Sequence, residues 1–125
     1  MTGISLDAGA LIAVERGDPS VRALLRRAVD DGLEIHVVPE VVAQVWRGGS
    51  RQARLAAVLG ARGVDTPPYD LHAAKEVGRL CSATSRHDVV DAHVVWHAKL
   101  RGHVIVTSDP DDLAALDPDV ALFVV

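Results

Sequence analysis

Short apolar segments alternating with longer stretches of helical period constrain this chain more than any other feature. Ile4 to Leu6, then Ile35 with Val37 and Val38, then Val104 to Thr107 and finally Ala121 to Val125 read as strands. Between the first two, Asp18-Pro19 opens a helix. Its Asp can cap free N–H groups, proline is tolerated at the first helical position, and Val21, Leu24, Leu25, Ala28 and Val29 then recur on one face. Ala8 to Glu15, a helix opened by Pro39-Glu40 and closed by Gly48-Gly49, Ser50 to Ala61, Asp70 to Ala83, Asp88 to Leu100 and Pro110 to Leu116 complete the helical segments. Val64-Asp65 reads as the lead into a Pro67-Pro68 turn. Strands separated by helices imply an α/β fold, with a central, mostly parallel sheet of four to five short strands flanked by helices. With no linker or repeat, one domain spanning 1–125 is expected.

Composition narrows the function classes. Aromatic residues are only 3% of the chain, too few for an RNA-recognition sheet that stacks bases on its rings. Cys81 is the single cysteine, so neither an internal disulfide nor a cysteine-based zinc site is available. Together with an N-terminus lacking a secretory pattern and no apolar run near the roughly 20 residues of a membrane span, this predicts a cytoplasmic protein with no membrane contact. The net charge of -4 hides a segregation: arginines gather between Arg16 and Arg62, whereas the segment from Asp109 onward carries five aspartates and no Lys or Arg.

In an open parallel sheet, ligands collect at the C-terminal ends of the strands. Asp7 and Asp109 follow predicted strands and can share that rim, and Asp88 and Asp91 lie at the start of the helix before the third strand. Each aspartate alone fits a helix cap. As a set they would repel by roughly 4 kcal/mol per pair at about 4 Å and an effective dielectric near 20, so a shared cation is the simplest remedy. An all-oxygen set favours Mg²⁺ or Mn²⁺ over zinc, and such ions with part of their shell left as water act on phosphate esters. His93 and His97 have the four-residue spacing of a helical zinc pair but no intervening glutamate to act as base.

The segments LDAGALIA at 6–13, DVVDAHVV at 88–95 and VTSDPDDL at 106–113 resemble the three acidic motifs of PIN-domain nucleases, particularly the VapC toxins of toxin–antitoxin pairs. The resemblance implies a Mg²⁺- or Mn²⁺-dependent endoribonuclease, a homodimer, an RNA substrate and a VapB-like antitoxin that enters the active-site groove. It makes Asp7 and Asp91 the principal metal ligands, with Asp109 beside them directly or through water and Asp112 an accessory acid. Many relatives carry a Glu-Val-x-Arg pattern on the third helix, where this chain has Gln44-Val45-Trp46-Arg47. Glu40, one turn earlier on the same face, is the expected replacement carboxylate. Arg47 and Arg51 are candidates for RNA contact, since phosphate neutralisation must offset an acidic rim. Thr107 and Ser108 could bind a phosphate or support Asp109. Two other readings compete. One is a catalytically inactive PIN-like RNA-binding protein, for which the Gln44 departure speaks. The other is a phosphoryl-accepting signalling module, which lacks its second acid after the first strand and any lysine after Lys99.

Overall fold

The computed structural model describes residues 2–125 and orders the chain as β1 (Gly3–Leu6), α1 (Ala8–Arg16), α2 (Pro19–Asp30), β2 (Glu34–His36), α3 (Pro39–Val45), a 3₁₀ turn (Ser50–Gln52), α4 (Ala53–Leu59), β3 (Val64–Asp65), α5 (Leu71–Thr84), α6 (Val89–Arg101), β4 (His103–Thr107), α7 (Pro110–Leu116) and β5 (Leu122–Val124). The five strands form one sheet in the order β3-β2-β1-β4-β5. Every pairing is parallel, so the expected mostly parallel sheet is wholly so. No helix among the described residues is long and apolar enough to cross a membrane.

From β1 the chain winds outward to β2 and β3, then returns to the other side of β1 for β4 and β5. Right-handed crossovers in opposite directions place their helices on opposite faces. Accordingly α1 packs with α3 and α4, while α6 packs with α5 and α7 and lies against β1 and β4. Both faces of the inner strands are covered, which explains why Ile4, Leu6, Ile35, Ile105 and Val106 are almost fully buried.

Three local expectations change. Val37 and Val38 do not extend β2, which ends at His36; Val38 becomes the residue that caps α3. Val64-Asp65 is a strand, because Ile35 pairs with Val64 and His36 with Asp65. Two residues carry too little periodicity to announce a strand, and only the edge of β2 supplies the partner. The single helix expected from Ser50 to Ala61 is broken at its start, where Ser50–Gln52 form a 3₁₀ turn before α4.

The break has a physical cause in Gln52, which is buried. Its Oε1 accepts from the backbone N–H of Arg47 at 2.8 Å and of Gly48 at 2.9 Å, and its Nε2 donates to the Val45 carbonyl at 2.9 Å. One side chain thus satisfies the backbone where α3 ends, with Gly48 and Gly49 turning through positive φ. Gln52→Ala should cost about 1–3 kcal/mol, the penalty of stranding buried polar groups, read as a lowered denaturant midpoint with unchanged slope.

Candidate active site

Gly3 and Ser5 of β1, with Asp7 just beyond the strand, occupy alternate positions on one face, and the side chains of His103, Ile105 and Thr107 share that face on the neighbouring β4. α6 covers this face and runs back against the strands, so its N-terminal turn, which carries Asp91, reaches their C-terminal ends. The rim lies where strand order reverses, between β1 and β4, the place where open α/β sheets leave a crevice.

Asp7 is 5% exposed, and its Oδ1 accepts from the Ala10 N–H at 3.0 Å, capping α1. Burial pushes its carboxyl above the usual range and Asp109 adds to the push, while hydrogen bonds from Thr107 and the backbone oppose it. Asp91 is pushed up to about 6, first by burial and then by the charges of Asp88, Asp7 and Asp112. That coupling places Asp91 within the field of both Asp7 and Asp112. Asp109 stands at the N-cap position of α7 yet makes no capping bond, so its carboxylate stays free; its own N–H donates to Thr107 Oγ1 at 2.9 Å. Thr107, fully buried, thus anchors the Asp109 backbone and lies beside Asp7, whose charged form its hydroxyl favours. Asp88, by contrast, is spent as a cap, accepting at 3.0 Å from both Val90 and Asp91 N–H groups. Asp88, Asp91 and Asp112 line a cleft of about 310 Å³ with Ser85, Arg86 and His87.

None of Asp7, Asp88, Asp91, Asp109 and Asp112 is ion-paired to Lys or Arg among the described residues. Carboxylates gathered at one rim, Asp7 buried, Asp91 half-buried and the others exposed, and none paired with a cation, make a donor set suited to a hard divalent cation.

The other expected residues sit elsewhere. Glu40, in the first turn of α3, meets His93 of α6, with Oε2 2.6 Å from His93 Nδ1. Tyr69 stacks on that imidazole at a centroid distance of 4.4 Å. Glu40 Oε1 and His93 Nε2 are buried without a partner. Gln44 is exposed and lines a separate groove of about 330 Å³ with Ile12, Glu15, Arg47 and Arg51. Arg47 bonds back to the Ala43 and Trp46 carbonyls. Ile12 also borders a second groove, shared with Gly9, Arg16 and Ser108, so α1 separates the basic groove from the Ser108 side of the rim. His93 and His97 do not act as a pair: the first turns to Glu40 and the second to His36.

Sequence reasoning missed the role of Gly9. A Cβ there would lie 2.0 Å from Ser108 Oγ and 3.0 Å from the Ser108 backbone nitrogen, so the glycine lets the β4 exit loop close on α1. The signal was the glycine itself, two residues after Asp7.

The family model for the PIN domain matches residues 4–117. The chain belongs to the PIN domain family. Among solved structures, a chain of DNA-bound VapBC from Salmonella typhimurium aligns with a TM-score of 0.72 at 17% identity over 98% of both chains. A chain of VapBC2 from Rickettsia felis bound to a promoter DNA fragment aligns with a TM-score of 0.71 at 14% identity over 96% of both. FitAcB from Neisseria gonorrhoeae gives 0.62 at 21% identity, again over 96% of both. These likenesses are of fold. No curated protein sequence matches the chain.

Two outcomes check this PIN site. Asp91→Asn should raise the melting temperature of metal-free protein, because it removes a partly buried charge repelled by its neighbours; each kcal/mol relieved is worth roughly 4 °C. Mg²⁺ should then stabilise the wild type and not the variant. An unchanged or lowered metal-free melting temperature would show that the carboxylates do not strain the fold. Gly9→Ala should keep the circular dichroism of the wild type while weakening Mg²⁺ stabilisation, because displacing Ser108 moves Asp109 away from Asp7.

Proposed function

We propose that the chain, as one domain over 1–125, is a Mg²⁺- or Mn²⁺-dependent endoribonuclease acting as the toxin of a VapBC-type toxin–antitoxin pair in the cytoplasm. The observation that carries the reading is the convergence of Asp7, at the exit of β1, with Asp91 of α6, whose carboxyl is pushed up to about 6 by burial first and then by neighbouring carboxylates that lack a cationic partner. PIN family membership supplies the nuclease class. The structural relatives are VapBC, VapBC2 and FitAcB structures, which supports an antitoxin partner.

In this reading Asp7, Asp91 and Asp109 hold the ion, and Asp112 serves as accessory acid at the cleft margin. The ion, when bound, activates water and neutralises charge on the phosphate. Thr107 keeps Asp7 and Asp109 in register, while Ser108 borders the phosphate's approach. Arg47 and Arg51 attract the RNA backbone along the α1–α3 groove. Glu40, with one oxygen bonded to His93 and the other unpartnered, is a further carboxylate beside the rim, tied through His93 to the helix that carries Asp91. The antitoxin enters the active-site groove in this reading, and an apolar groove between α2 and α4, lined by Leu25, Val29, Val58 and Val64 with Arg22 and Arg26 beside them, offers it a second contact for an apolar segment flanked by acids. The active form is a homodimer.

The Gln44 substitution and the capture of Glu40 by His93 favour a second reading, an inactive PIN-like RNA binder. Incubating total cellular RNA with tag-free protein separates the two. Cleavage should require Mg²⁺ or Mn²⁺, stop with a chelator and fall at least about 100-fold in Asp7→Asn and Asp91→Asn, roughly 2.7 kcal/mol of transition-state stabilisation. Glu40→Gln should be more damaging than Gln44→Ala. RNA bound but uncut under all conditions would establish the binder, and full activity in both aspartate variants would remove the site assignment.

A further inference from the structure

The described residues hold a second polar cluster at the opposite end of the same sheet face. His36 of β2, His97 of α6 and His103 of β4 are all buried, and each offers a ring nitrogen within 4.8 Å of the other two. His36 Nδ1 and His97 Nε2 are 2.8 Å apart, so a single proton is shared between two imidazoles. His103 Nδ1 lies 2.9 Å from Ser5 Oγ, and its Nε2 is buried without a hydrogen-bond partner. Glu34 stands at the mouth, with Oε2 3.1 Å from His36 Nε2 and Oε1 3.6 Å from His103 Nε2. Arg101 holds Glu34 from outside at 2.6 Å, and the Asp65 carboxylate is 4.0 Å from His36 Nε2. Gly3 leaves the wall open: a Cβ there would lie 2.8 Å from His103 Nε2.

We propose that His36, His97 and His103 form a binding site for a borderline divalent transition ion, Zn²⁺ foremost, separate from the aspartate rim. Three imidazoles with a single carboxylate, Glu34, at their margin suit Zn²⁺ better than Mg²⁺, the reverse of the preference at Asp7 and Asp91. The ion would take the facing nitrogens of His36 and His97, with the proton between them moving to the far ring nitrogen of His97, and the orphaned lone pair of His103. Burial lowers all three rings, and the neighbouring histidines lower His97, to about 4, and His103 further, while Glu34 opposes the shift at His36 and His103; lowering favours the neutral ring, the form that ligates. Glu34 accepts from the ring nitrogen of His36 that faces away from His97, the carboxylate–histidine support common around bound zinc. Its side chain is 38% exposed while the rings are buried, which makes it the entry path. The ion joins β2, β4 and α6, so its role is to lock the helix that carries Asp91 onto the sheet.

The test uses tag-free, chelator-stripped protein titrated with Co²⁺ and followed by visible absorption. One ion per chain should bind with the intense bands of a low-coordinate, nitrogen-rich shell, and Zn²⁺ but not excess Mg²⁺ should displace it. Binding should persist in the Asp7→Asn, Asp91→Asn double variant, disappear in His97→Gln and His103→Gln, and weaken roughly 10- to 100-fold in Glu34→Gln. X-ray absorption of the wild-type zinc complex needs no variant, and should show imidazole nitrogens at about 2.0–2.1 Å. An oxygen-only shell, no binding at micromolar ion, or binding lost in the aspartate variant and kept in the histidine variants would overturn the site. None of these outcomes depends on whether the protein cleaves RNA.

Discussion

The parallel pairing of β1 with β4 is the interaction on which the rest depends. The two strands are distant in sequence, and their register, Gly3 with His103 through Leu6 with Val106, determines what else can meet. It sets Asp7 level with the exit of β4, so that Thr107 lies beside Asp7 and anchors the Asp109 backbone. A slip of one residue would turn Asp7 to the opposite face and separate it from Thr107 and α6.

α6 converts that register into chemistry. Its first turn meets the rim through Asp91, its middle holds His93 against Glu40, and His97 lies six residues beyond Asp91, roughly 9 Å along the axis. A seam of titratable groups thus runs beneath one helix that is otherwise packed in an apolar core. Carboxylates dominate at the C-terminal end of the strands and imidazoles toward the N-terminal end. The two ends therefore differ in kind: one gathers negative charge that a hard cation relieves, the other gathers neutral lone pairs.

The site was legible in proportion to how local its signals were. Asp7 and Asp109 announce themselves because each follows an apolar strand, and Asp91 because it opens a helix in a motif shared with PIN proteins. The roles of Glu40 and Gln44 were not legible in that way. Their spacing on α3 says they share a helix face, but only the approach of α6 brings His93 to Glu40 while Gln44 stays in the groove beside Arg47. The histidine cluster was invisible for the same reason: His36, His97 and His103 belong to three elements and follow no motif spacing.

Local sequence alone dictates the alternation of strands and helices, the helix starts at Asp18-Pro19 and Pro39-Glu40, and the aspartates at the strand ends, because each follows from periodicity or capping within a few residues. Tertiary structure decided the edge strand Val64-Asp65, the break that Gln52 imposes before α4, and the partners of Glu40 and the histidines. Those outcomes rest on hydrogen bonds and packing between segments far apart in the chain, whose energies exist only once the sheet order is set.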